Sequence, residues 1–500
     1  MENNKPQPAN KISVNKFRDA KLGWLLFIFS VPAIIGMVCN GLQNIVNRIF
    51  VGNEVGSDAL AAVAIGFPVM IIFMAVAMLI GLGSCTLASI RLGQQNREDP
   101  EKLLGQATLL LFLAPLVVAI ICNIFLEDVL IFLGASSNVL SYAKDYLRII
   151  LFAMVFACPS MGLNNFIRLQ GHPNTAMATQ ILAAILNIFF NYLFIVQLNW
   201  GIKGAAWGVL LGNFLSLFWI FYFLCGKRAY VRFNFNRVRV YLPLLRKIAA
   251  LGLPPFLMQM AASVQQLIMN RTLTFYGGDS ALAVVSILTS VSTLMVIPVI
   301  GLNQGAQPII GYNYGARLFD RVKGTVNRAA FFATLFTTLS FILICWRSES
   351  MAKLFTSDFG VIDMTAEALV IFFIALPLIG FMIVATGYFQ ATGKPVQSAF
   401  LSLSRQVLVF IPLMLFLPKM QWGTPEASAL GNWIGKTFSF LPSMGEQTLG
   451  LFGAWVTSPL SDFISFIFTV ILMAFALKAL RKEEKEVANL DKPKKNLISE

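Results

Sequence analysis

The chain has 500 residues, of which 57% are hydrophobic and only 12% charged, with a formal net charge of +14 and a mean hydropathy of +0.73. That composition excludes an ordinary soluble domain. Apolar runs of about twenty residues exclude a membrane β-barrel, which would show alternation over about ten residues. Backbone polar groups cannot stay unpaired in lipid, so the predicted class is an all-α polytopic membrane protein.

Taken in order, residues 1–21 form a polar, basic tail. Spans are predicted at about 22–50, 59–90, 104–126, 143–168, 175–197 and 204–225, making an N-terminal lobe over 22–225. Residues 226–247 carry Lys227, Arg228, Arg232, Arg237, Arg239, Arg246 and Lys247 and form a basic linker. Alternation over Val231–Val240 allows this linker to lie along the headgroups, and a solvated connector is the other reading. Six further spans at about 248–275, 281–311, 329–346, 366–390, 396–417 and 452–478 make a C-terminal lobe over 248–478. A charged tail, expected to fray, follows over 479–500.

Basic residues fix an orientation. Of 38 Lys and Arg, 28 fall in the two tails and the loops on their side, 9 fall on the opposite side, and Arg405 lies within a span. The positive-inside bias places both termini in the cytoplasm, and the charge implies topology and anionic-lipid attraction, with no nucleic-acid partner.

The two lobes repeat one unit. Shifted by 222 positions, Pro32 to Gly93 lies on Pro254 to Gly315. Gln43 then meets Gln265, Ala59-Leu60-Ala61 meets Ala281-Leu282-Ala283, Gly83 meets Gly305, and Gly93 meets Gly315. The same shift carries Gly171-His172-Pro173 onto Gly393-Lys394-Pro395. An even number of spans per copy gives both copies one orientation, related by an axis along the membrane normal. After the repeat, an insertion at about 419–447 separates the last two spans on the outward side; it reads as a plain extracellular loop or as a gate.

Strongly polar residues within spans are functional candidates by default. The first span offers Asn40, Asn44 and Asn47 on one helical face, and the fifth offers Asn187 and Asn191. The seventh offers Gln259, Ser263, Gln266 and Asn270, while Asn164 and Met295 complete the candidate lining. Such stripes suit either interhelical hydrogen bonding or the wall of a cavity shared by the lobes. Asp462, early in the last span, is a carboxylate within the membrane and a candidate for ion coupling. The six cysteines fall in or at the ends of spans without pairing or metal spacing, and His172, the only histidine, reads as a solvated loop residue. No nucleotide-binding glycine loop, catalytic triad or metal-ligand set appears; the expectation is a protein without cofactor that is not an enzyme.

Several stretches resemble the multidrug and toxic compound extrusion (MATE) family of secondary transporters. They are Gln43-Asn-Ile-Val-Asn-Arg-Ile-Phe-Val-Gly52, Ala59-Leu-Ala-Ala-Val63, Gly162-Leu-Asn-Asn-Phe-Ile-Arg168 and Gln170-Gly-His-Pro173 in the first half. The second half adds Tyr276-Gly-Gly-Asp279, Asn303 through Gly315, Phe389-Gln-Ala-Thr-Gly393 and Leu403-Ser-Arg-Gln406. The resemblance implies twelve transmembrane helices in two six-helix lobes around a central cavity, in a bacterial plasma membrane. It implies a monomer that exports amphipathic or cationic compounds by alternating access, coupled to H⁺ or Na⁺. Many similar bacterial proteins have Asp where this chain has Asn47 and Asn191, and a Thr where it has Val209, while Asn187 is kept. An amide neither titrates nor brings negative charge. Coupling through Asp462, or transport down the substrate gradient, are therefore both open, as are a lipid-linked precursor flippase and a non-transporting receptor or scaffold.

Overall fold

The computed structural model describes residues 17–96, 98–133, 137–356, 358–419 and 450–490. Most of the insertion placed at 419–447 therefore lies outside the described residues. The described chain is a succession of long helices with no strand among them.

The N-terminal lobe contains α1 (Leu22–Glu54), α2 (Ser57–Gly93), α3 (Glu98–Ile124), α4 (Ser137–Leu169), α5 (Pro173–Asn191) and α6 (Gly201–Cys225). A π-helical turn, Tyr192–Gln197, extends α5. The C-terminal lobe opens with α7 (Leu242–Gly278) and α8 (Ser280–Gly315), which meet at Gly278, where φ is +60° and only glycine is unstrained. Next come α9 (Phe319–Lys353) and α10, whose halves Phe359–Phe372 and Leu376–Ala391 meet at 51°. The lobe ends with α11 (Pro395–Lys419) and α12 (Gly450–Leu490). Among the described residues eleven helices are long and apolar enough to span, or twelve when the bent α10 is taken as one span.

Two details depart from the expected spans. The break in α10 falls where Pro377 sits in the first turn of the second half, since proline lacks the N–H that would join it to the helix before it. At the other end the chain does not fray at 479: α12 runs on to Leu490. Lys, Glu, Ala and Leu dominate that stretch and are good helix formers, and Glu484 pairs with Lys323 of α9 at 2.5 Å.

The linker lies against the N-terminal lobe. The Gln170 Oε1 accepts from the backbone N–H of Tyr230 (2.7 Å) and Val231 (2.9 Å), and Arg237 pairs with Glu101 at 2.8 Å. Ala229 and Val231 are buried while Phe235 is exposed.

The lobes join through α1 and α2 on one side and α7 and α8 on the other. The closest approach is at the end of the bundle where the termini lie, and the repeat builds it twice. A Cβ at Gly83 would run into the Ile248 carbonyl, and one at its counterpart Gly305 would stand 2.7 Å from Ser30 Oγ. A Cβ at Gly93 would strike the Tyr312 carbonyl, and at Gly315 the Ile90 carbonyl. Without a driving force from water, such backbone-to-backbone packing of small residues is what holds helices together in lipid. The N-terminal segment closes the same end: Phe17 is fully buried, its carbonyl accepts from Asn313 Nδ2 (3.2 Å) and Arg321 Nη2 (3.0 Å), and Arg321 also donates to the Ala20 carbonyl at 2.7 Å.

Gly252 on α7 abuts the backbone at Leu79. Gly252→Val is expected to destabilise the purified protein by about 1–3 kcal/mol in thermal unfolding, because the opposing backbone cannot yield. Gly23→Ala, where a Cβ would meet nothing within 4 Å, is expected to leave the transition unchanged or slightly raised.

Candidate functional site

Away from the termini the lobes part. On α8, Leu294, Ser290 and Ala283 lie seven, eleven and eighteen residues before Gly301, hence on the face that touches α1 at Gly301, yet all three are exposed. On α7 the stripe Gln259, Ser263, Gln266 and Asn270 continues the line of Gly252 and so faces the opposite lobe. All four are half-buried, and Gln266 Nε2 donates to Asn270 Oδ1 at 2.8 Å.

α1 has two exposed faces of opposite chemistry. Leu42, Ile45 and Ile49 form an apolar face suited to lipid. Roughly opposite them Asn44 and Arg48 are exposed and Asn40 half-exposed, on the side turned between α5 and α8. Asn44 Nδ2 donates to the Asn40 carbonyl at 3.1 Å. Asn40 and Asn44, the α7 stripe and the far half of α8 are thus the candidate lining of a cleft between the lobes.

A second polar group lies within the N-terminal lobe. Asn191 Nδ2 donates to Asn47 Oδ1 across the α1–α5 contact and to Asn187 Oδ1 at 3.2 Å. Asn187 and Asn191 are buried, Asn47 half-buried. Glycines on α6 make room: a Cβ at Gly208 would collide with the Asn191 side chain, and one at Gly212 would stand 3.2 Å from the Asn187 backbone. Asn191 Oδ1 and Asn187 Nδ2 have no partner among the described residues. The cluster's buried atoms thus offer a free acceptor and a free donor without any charge, and the half-buried Asn47 amide nitrogen adds another donor; the set suits a water or a neutral polar group. The π-turn begins directly after Asn191, a distortion common at functional sites.

The C-terminal lobe holds a different arrangement. Asp462 of α12 accepts from Arg405 Nε at 2.6 Å, and Ser461 Oγ donates to the Arg405 carbonyl at 2.8 Å. Arg405 sits in the π-helical segment Ser404–Val409 of α11. Asp462 is the one buried carboxylate among the described residues.

Two other candidates sit elsewhere. Asn164 is buried between α4 and α5, donating to the Ala176 carbonyl at 3.0 Å and to Thr179 Oγ1. Met295 is in the apolar core of the C-terminal lobe with Met269, Val291 and Leu288. One feature of the cleft was missed in the sequence although its periodicity was available. Ser286, Thr289, Ser290 and Thr293 follow helical spacing on the far half of α8, and all are exposed. Ser286, Ser290 and Thr293 hydroxyls donate back to carbonyls four residues earlier at 2.8–3.0 Å. His172 packs its ring edge-on against Phe223, 5.2 Å between centroids.

Comparisons with known proteins agree with this architecture. The MatE family model matches residues 32–193 and again 254–415. The multidrug export protein MepA of Staphylococcus haemolyticus is 27% identical over 406 residues, covering 80% of this chain and 88% of that protein. MepA of Staphylococcus aureus is 26% identical over 390 residues, with 78% and 86% covered. Among solved structures, a MATE transporter in a bent conformation superposes with a TM-score of 0.83 at 23% identity, covering 95% of this chain and 99% of that one. A MOP superfamily transporter from Pyrococcus furiosus superposes at 0.82, also at 23% identity, covering 94% and 98%.

Removing Arg405 would strand a buried carboxylate. Arg405→Met is expected to cost about 3 kcal/mol in thermal unfolding, the low end for a broken buried pair because Arg405 keeps 31% of its side chain exposed. The double replacement Arg405→Met/Asp462→Leu is expected to recover most of that loss, since no charge remains unpaired.

Proposed function

We propose that this chain, which belongs to the MatE family, exports amphipathic and cationic small molecules across the bacterial plasma membrane by alternating access. The observation that carries this reading is the asymmetry of the inter-lobe contact, close-packed at the end with the termini and parted at the other. Basic residues concentrate at the packed end, which the positive-inside bias assigns to the cytoplasm. The conformation is then outward-open, and rocking one lobe against the other would expose the cleft inward. The similarity to staphylococcal multidrug export proteins supports multidrug compounds as the substrate class.

The cleft suits such substrates. Its walls combine amides on α1 and α7, hydroxyls on α8 and apolar residues such as Leu294. Polar groups of this kind bond many partners, while the apolar surface supplies sequence-blind affinity. A phosphate-rich lipid precursor would need more cationic walls than these.

Coupling, in this proposal, has moved between lobes. The Asn47–Asn187–Asn191 cluster has the position of an ion site but nothing that titrates. Asp462 remains, held by Arg405. Protonating Asp462 would cancel its charge and release the Arg405 guanidinium, giving the pair two states that a proton can select.

Reconstituted vesicles with an imposed pH gradient test this. Export of a fluorescent lipophilic cation is expected to follow the gradient, and Asp462→Asn is expected to cut the gradient-driven component at least about tenfold while binding persists. Transport indifferent to both the gradient and Asp462→Asn would instead mark downhill movement of substrate. Absence of any flux in wild type would remove the export reading altogether.

A further inference from the structure

Arg168 stands near the end of α4 and is only 4% exposed. It belongs to none of the ion pairs among the described residues. Its Nη1 donates to Asn165 Oδ1 at 3.4 Å and, across the inter-lobe boundary, to Gln304 Oε1 of α8 at 2.6 Å. These amides satisfy hydrogens but bring no negative charge. A guanidinium does not shed its proton, so a full positive charge sits buried without a counter-charge.

Beside it is a cavity bordered by Thr86, Ser89, Asn165, Gln304 and Gln307. It has a volume of about 20 Å³ for water-sized guests, just over the roughly 10–15 Å³ that one such guest requires. Its free groups are mainly donors. The Thr86 hydroxyl and the Gln304 amide nitrogen have no partner among the described residues, and most of the Arg168 N–H groups are likewise unused. Ser89 Oγ donates to the Thr86 carbonyl at 2.9 Å and Gln307 Nε2 to Gln390 Oε1 at 3.1 Å, which leaves the Gln307 carbonyl oxygen as the free acceptor among these donors.

We infer that this cavity binds a single monatomic anion, chloride being the abundant one of suitable size, with Arg168, Thr86 and Gln304 as its donors. Water would fill the volume but leave the charge uncompensated. The walls come from α2 and α4 of one lobe and α8 of the other, so the site is whole only while the lobes are closed here. By linkage, the anion stabilises that closed state. The inference concerns binding alone and does not depend on what the protein transports.

Thermal unfolding of the full-length protein in sodium chloride, sodium bromide or sodium gluconate at matched ionic strength is the test. Chloride and bromide are expected to raise the midpoint saturably and gluconate to leave it unmoved. Arg168→Gln should weaken the halide effect by about tenfold or more, the loss of one charge-assisted partner. Because that variant can fail to fold, bromide anomalous scattering from wild-type crystals gives a second reading, with a peak expected between Arg168 and Thr86. Equal midpoints in all three salts, a halide effect undiminished in Arg168→Gln, or water alone at the position in bromide crystals would each overturn the assignment.

Discussion

Backbone contact between the lobes at one end of the bundle is the constraint on which everything else hangs. Gly83, Gly93, Gly305 and Gly315 let α1 and α2 lie directly on α7 and α8, closer than any side chain permits. Because the same glycines recur in both copies, the seam has the approximate symmetry of the lobes themselves. Two rigid bodies held at one end can only part at the other. The polar stripes of α1, α7 and α8 lie beyond that packing, exposed or half-buried, and are the candidate lining of the opening.

Within this frame the two lobes have taken different chemical roles. The N-terminal lobe keeps three asparagines that satisfy one another in part and leave both donors and an acceptor free. The C-terminal lobe holds the buried carboxylate, tied to Arg405 within a π-helical segment. A neutral cluster can order a water or recognise a polar group but cannot respond to a proton. An ion pair in low dielectric responds strongly, because losing one charge leaves the other unbalanced. Duplicated sequence has therefore not meant duplicated chemistry.

Much of the fold was legible in the residues. Apolar runs gave the helices, and the register aligned Gly83 with Gly305, although it did not say that the lobes meet at those positions. Spacing put Asn47 on a polar face of α1 and Asn187 and Asn191 on one of α5, and the structure brings the two together. Other features were hidden by the solvent itself. In a bilayer, lipid-facing and core-facing surfaces are both apolar, so nothing in sequence separated Met295 in a lobe core from Leu294, its neighbour, at the cleft. Asn164 satisfied the same criterion as Asn44 but points into α4–α5 packing. The Arg405–Asp462 pair joins residues 57 apart across an insertion, although a cation and an anion each well inside a span of one lobe were a usable hint. The helical run to Leu490 was readable from propensity and was outweighed by its charge.

Paired distance measurements between the lobes address the central claim most directly. Spin labels at Glu54 and Thr274 would report the parted end, and labels at Gln95 and Arg317 the packed end, in a chain with its native cysteines replaced. The account predicts opposed changes when substrate and an imposed gradient drive the cycle, the first distance shortening as the second lengthens. Two distances that stay fixed, or that shift in the same sense, would contradict it.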